Sequence, residues 1–169
     1  MCIRDSYSCK AHYLDASCLV KLVVREVGSP EVLEFFNSHT SFYTTAICIA
    51  EALNVLKRKW NRNEISIDDY YSATHALVFG KVEIDEIELA NPFVYREVES
   101  VAKKHELDLS DALQLVTILK GRYSVLGPDS ASVLITADES LAEAATSEGI
   151  RTWNCVKDPR PTWPSKMRP

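Results

Sequence analysis

The chain has 169 residues, 46% of them apolar and 25% charged, with a formal net charge of −5. That is the length and composition of one globular domain with a sizeable core, without a membrane-spanning run or an apolar signal segment. The negative charge argues against a general nucleic-acid binder, and five scattered cysteines without a CxxC pair (Cys2, Cys9, Cys18, Cys48 and Cys155) argue for reduced, cytoplasmic thiols rather than a disulfide framework or zinc knuckle.

Strands and helices alternate along the chain. The first six residues, MCIRDS, look foreign to the rest of the chain and resemble the translation of a sequencing-adapter remnant. Residues 1–10 are therefore expected to be non-native or disordered, with no function for Cys2 or Asp5. HYLDA reads as a short buried strand, followed by a helix from about Ser17 to Arg25. SPEVLEFFNSH opens with Ser29 as helix cap and Pro30 at the first helical position. SFYTT is a second strand, with Thr44 or Thr45 capping the next helix. That helix begins AICIAEALNVL, and its apolar positions cover both faces, which predicts burial all round.

SIDDYYSATHALVF is a further helix, and KVEIDEIEL alternates as a strand does. NPFVYREVESVAKKH repeats the Asn-Pro start, and another helix runs from Ser110, as cap, to about Lys120. After the loop GRYSVLGPDSAS come a strand SVLIT, a helix DESLAEAATSEG and a last strand RTWN. A Pro-rich basic tail over residues 156–169 should pack loosely. The alternation implies a mostly parallel sheet covered by helices on both faces, a three-layer α/β/α sandwich. Sites in such folds lie outside the carboxyl ends of the strands.

The acidic residues fall at those ends. Asp15 closes the first strand, Asp138 closes SVLITAD, and Asp111 opens the apolar helix in LDLSDALQLV. Each has an ordinary explanation as a helix cap or as a charge favoured by the helix dipole. Glu51 has none. It lies about two turns inside its helix, where no backbone N–H remains to be capped, and Arg58 is the nearest basic residue on its face. A buried carboxylate without a partner costs several kcal/mol or takes up a proton. If all four acids meet at the carboxyl edge of the sheet, a divalent cation resolves their repulsion. An all-oxygen donor set favours Mg²⁺ or Mn²⁺ over zinc.

YLDASCLVKL, TTAICIAEALNVL, LDLSDALQLV and LITADESLAEAATSEGIRTWN, in that order over residues 11–155, resemble the four acidic motifs of PIN-domain nucleases, and among them the VapC-type toxins of bacterial toxin–antitoxin pairs. The resemblance implies a PIN-like fold and a metal-dependent endoribonuclease, with Asp15, Glu51, Asp111 and Asp138 as catalytic and metal-binding acids. Ser17 and Thr136 match the small polar positions that hold those acids by hydrogen bonds. It also implies an RNA substrate, a small antitoxin partner and a homodimer. The loop before SVLIT and the tail are longer than in compact members, which bears on substrate or partner choice.

Two basic clusters, KRKWNR (with Lys57 and Arg58) and the last nineteen residues RTWNCVKDPRPTWPSKMRP, interleave with Trp60, Trp153 and Trp163. They read either as solvated surface or as contacts for a single RNA strand. A haloacid-dehalogenase-like phosphatase would need a second Asp where Ser17 stands, and a receiver domain would need a Lys where the chain has RTWN. A catalytically inactive PIN-like scaffold would be expected to have lost one of the acids. DNA as substrate stays open at this point.

Overall fold

The computed structural model of the chain describes residues 11–126 and 131–161. Expectations that rest on Cys2, Asp5, Cys9, Trp163 or the far tail lie outside the described residues.

Among the described residues five strands form one sheet: β1 (His12–Leu14), β2 (Phe42–Thr44), β3 (Glu83–Ile84), β4 (Val133–Thr136) and β5 (Arg151–Asn154). Their order is β3-β2-β1-β4-β5 and every pairing is parallel. Seven helices connect them among the described residues: α1 (Ala16–Val23), α2 (Ser29–Ser38), α3 (Ala46–Asn61), α4 (Ile67–Phe79), α5 (Pro92–His105), α6 (Leu109–Lys120) and α7 (Glu139–Ser147).

The two-residue period of the central strands divides the core. Leu14, Val133 and Ile135 face a layer built from α1, α2, α3 and α4. Tyr13 and Leu134, one residue out of phase, face α6 and α7. α5 packs outside α6 through Val98, Ala102, Ala112 and Val116. Because both faces of β4 are covered, all four of its residues are buried, as VLIT requires. The expected three layers are present.

The chain lays down β2 and β3 on one side of β1 and then crosses to β4 and β5 on the other. The helix leaving β1 joins one layer and the helix leaving β4 joins the opposite one. Their divergence opens a crevice beyond the carboxyl ends of β1 and β4, which is where ligands bind in open parallel sheets.

Several local expectations are corrected. The cap of α2 is Gly28 at φ 85°, not Ser29, whose hydroxyl instead accepts the Glu26 N–H and donates to the Val24 carbonyl. The cap position of α6 is Asp108, two residues earlier than Ser110, since the Ala112 N–H already bonds the Asp108 carbonyl. The KVEIDEIEL strand shrinks to two exposed residues at the sheet edge. It ends there because Asp85 turns inward to accept the Tyr13 hydroxyl at 2.5 Å, while Glu86 accepts the Ala46 N–H at the start of α3.

α3 is not buried all round. Cys48, Ala52 and Leu56, spaced by four, form its buried stripe. Ile47 leans on the α5–α6 cluster and Ile49, Leu53 and Val55 on the α1–α4 cluster, so α3 sits in the cleft between two helical groups. Ala50 and Asn54 face solvent and Glu51 lies half-buried on the flank. The tail is tied down where it begins: the Asn154 side chain accepts the Val156 and Lys157 N–H groups, and the Asp158 carboxylate accepts the Asn154 N–H.

Candidate active site

Asp15 is the residue at which β1 becomes α1, and it is 5% exposed. Its side chain caps α1 by accepting the Cys18 N–H at 2.9 Å. It also accepts the Ser17 hydroxyl at 2.8 Å and the Thr136 hydroxyl at 2.5 Å. Burial pushes the Asp15 carboxyl above its ordinary range, and the donors from Thr136, Cys18 and Ser17 pull it back.

Ser17 and Thr136 each do two things. The Ser17 oxygen accepts the Ala137 N–H at 3.0 Å while its proton serves Asp15. The Thr136 oxygen accepts the Asp138 N–H at 2.9 Å while its proton serves Asp15. The two hydroxyls therefore stitch the β1–α1 corner to the β4–α7 corner across the crevice. Asp138 occupies the cap of α7, where one carboxylate oxygen accepts the Leu141 N–H.

Asp111 lies in the first turn of α6, and Glu51 in the second turn of α3. Neither makes a hydrogen bond to another described residue, and none of the four acids forms an ion pair with a described Lys or Arg. Their charges nonetheless meet. Burial, then the negative charges of Asp138, Asp15, Glu51 and Asp108, raise the Asp111 carboxyl to about 7. Burial pushes the Cys48 thiol up to about 12, with Asp15 and Glu51 adding to the effect. The structure thus gathers Asp15, Glu51, Asp111 and Asp138 into one electrostatic neighbourhood. It does not draw them to a single point: among the described residues, no three acid, His or Cys side chains stand close enough to chelate an ion.

The donor chemistry fits a hard divalent cation. Every candidate ligand is a carboxylate oxygen, and among the described residues Asp111 and Glu51 have no competing partner and no cation compensates the negative charge. Asp15 and Asp138 each accept protein donors and keep lone pairs to spare.

The basic candidates separate. Lys57 and Arg58 are exposed and form no ion pair among the described residues, whereas Lys59 is held by Glu26 and Glu64. Trp60 stacks on Tyr70 with ring centroids 5.2 Å apart. Trp153 is 2% exposed and belongs to the core, so it offers no face to a nucleic-acid base.

Three contributors escaped the sequence. Asp108 adds its charge to the field at Asp111. Thr44 and Gln114 both donate to the Leu14 carbonyl, immediately before Asp15, at 2.8 and 3.1 Å. The one sequence signal for Gln114 is a polar residue inside the apolar run DALQLVTIL.

A family model described as PIN domain matches residues 12–146. The chain belongs to the PIN-domain family. This is a family of nucleases, and the match disfavours the phosphatase and receiver readings. Among solved structures, the PIN domain is similar to the crystal structure of PAE2754 from Pyrobaculum aerophilum. The TM-score is 0.56 at 20% identity, over 84% of this chain and 83% of that one. At that identity the likeness speaks for the fold. No protein of curated function matches the chain. No helix among the described residues is long and apolar enough to cross a membrane.

Proposed function

We propose that this PIN domain is a metal-dependent endoribonuclease acting in the cytoplasm, and that it is the toxin of a toxin–antitoxin pair. The observation that supports this most is the state of Asp111. Its carboxyl is raised to about 7 by burial and by the charges of Asp138, Asp15, Glu51 and Asp108. Asp15 and Asp138 also cap their helices, but Asp111 and Glu51 cap none, and four carboxylates in one field attract a cation.

Asp15, Asp111 and Asp138 would hold Mg²⁺ or Mn²⁺, and Glu51 would serve as a further ligand or as the acceptor of a proton from the attacking water. Bound there, the cation supplies positive charge against the negative charge that develops as a phosphodiester is displaced in line. The protein's own residues supply the rest. Ser17 and Thr136 favour the ionised form of Asp15 against its burial and fix its orientation through their hydrogen bonds. The N-terminus of α7, where Glu139 and Ser140 are exposed, adds a favourable dipole for substrate phosphate. Lys57 and Arg58, about two turns beyond Glu51 on α3, are available to the RNA backbone.

A cytoplasmic ribonuclease needs restraint, and a small antitoxin whose basic side chain pairs with the acid cluster would provide it by competing with the metal. A homodimer through apolar helix faces completes the reading. The test is cleavage of single-stranded RNA and DNA by purified protein with Mn²⁺, with Mg²⁺ and with chelator, using Asp15→Asn as the control for contaminating nucleases. Cleavage of RNA by the wild type only with metal, and none by Asp15→Asn, is expected. Equal cleavage in chelator would sink the metal mechanism, and a preference for DNA would sink the ribonuclease reading.

A further inference from the structure

Gln114 is fully buried in α6, and its side-chain nitrogen donates to the Leu14 carbonyl at 3.1 Å across 100 residues of sequence. Among the described residues its amide oxygen has no hydrogen-bond partner, nor does the hydroxyl of Thr117 one turn further along. An orphaned polar atom in a dry core costs stability, and a Leu or Met would fill the same space without that cost. Core packing alone therefore does not account for Gln114.

What it holds does account for it. The peptide joining Leu14 to Asp15 is one rigid plane, so the direction of the Leu14 carbonyl fixes how Asp15 leaves the sheet. On one side of that plane the Asp15 N–H bonds the Ile135 carbonyl of β4 at 3.3 Å. On the other, the carbonyl accepts the Thr44 hydroxyl from β2 at 2.8 Å and the Gln114 amide from α6. Gln114 lies three residues after Asp111, on the same side of the helix. It is the one side-chain hydrogen bond, among the described residues, that ties the helix bearing Asp111 to the strand bearing Asp15.

We infer that Gln114, assisted by Thr44, is a positioning residue that sets the spacing of Asp15 from Asp111 and thereby the affinity of the acid site for a divalent cation. The inference rests on the metal reading proposed above. It assigns Gln114 no contact with substrate or ion.

The test uses the full-length chain, with Mn²⁺ binding followed by the loss of the free-ion signal in electron paramagnetic resonance, and melting followed in chelator. Gln114→Met keeps the volume and removes the donor. It is expected to raise the Mn²⁺ dissociation constant about tenfold, as losses of such supporting hydrogen bonds do, while melting within a few degrees of the wild type. RNA cleavage should then recover at saturating Mn²⁺. Thr44→Val should weaken Mn²⁺ binding in the same sense, and Thr44→Ser, which keeps the hydroxyl, should restore it. Unchanged Mn²⁺ affinity in Gln114→Met would overturn the inference and leave the nuclease reading standing. A weakened affinity that comes with a large drop in melting temperature in both Gln114→Met and Thr44→Val would also overturn it, since that is general loosening. A wild type that binds no Mn²⁺ would end both proposals together.

Discussion

The charge on Asp111 should be visible as a pH dependence of stability in the metal-free protein. Burial first, and then four neighbouring carboxylates, carry its proton affinity from the ordinary 3.8 to about 7. Each tenfold step in proton affinity is worth about 1.4 kcal/mol, so ionising Asp111 in the fold would cost roughly 4 kcal/mol if the site were sealed. Asp111 is only partly buried. Solvent screening brings the figure to about 2 kcal/mol. A raised folded-state value means that the proton is taken up on folding. The stabilisation is fully present below 3.8 and is lost as pH rises through about 7.

Between about pH 8 and pH 5.5 the chelated wild type should therefore recover roughly 1 kcal/mol, or about 2–4 °C in melting temperature for a chain of this size. Asp111→Asn removes both the charge and its titration. In chelator it should melt above the wild type at the alkaline end and change little across the same range. Differential scanning calorimetry of both proteins in chelator at the two pH values decides the matter. A wild type that melts identically at both, with Asp111→Asn no more stable at the alkaline end, would refute the crowding of charge on which the site is argued.

Other perturbations separate the site from the scaffold. Thr136→Val strands the Asp138 N–H and removes the 2.5 Å donor to Asp15; it should cost about 1–3 kcal/mol in a melt and weaken Mn²⁺ binding about 10- to 100-fold by titration. Gly28→Ala forces a Cβ to within 2.9 Å of the Cys155 carbonyl oxygen at φ +85°; it should destabilise by more than about 1 kcal/mol in urea while Mn²⁺ affinity stays put. Replacing Lys57 and Arg58 together by Ala should raise KM for RNA and flatten its salt dependence with kcat unchanged, read from initial rates at several salt concentrations.

The parts of this molecule that were legible in its sequence are those where one residue has one dominant partner nearby. The VLIT run announces a strand covered on both faces, and Asn91 before Pro92 announces a helix start. Asp15, Asp111 and Asp138 stood out as carboxylates at the ends of apolar elements, and Glu51 as a carboxylate inside one. What escaped depends on contacts between distant elements. Gly28 rather than Ser29 caps α2 because the turn must pass close to Cys155, which no local rule contains. α3 is buried along one stripe only, since two helical clusters flank it and a third side is left to solvent. The roles of Thr44 and Gln114 exist only once β1, β2 and α6 have met at the Leu14 carbonyl.

In the proposed mechanism the acids at the carboxyl edge of β1 and β4 bind a divalent cation with which RNA is cut. Crystals grown or soaked with Mn²⁺, measured for its anomalous scattering, test it most directly. The account predicts a peak in the crevice, bonded to carboxylate oxygens of Asp15 and of at least one of Asp111, Asp138 and Glu51 at about 2.0–2.2 Å, and absent in Asp15→Asn. A crevice without a peak at Mn²⁺ concentrations that support cleavage, or a peak that persists in Asp15→Asn, would contradict it.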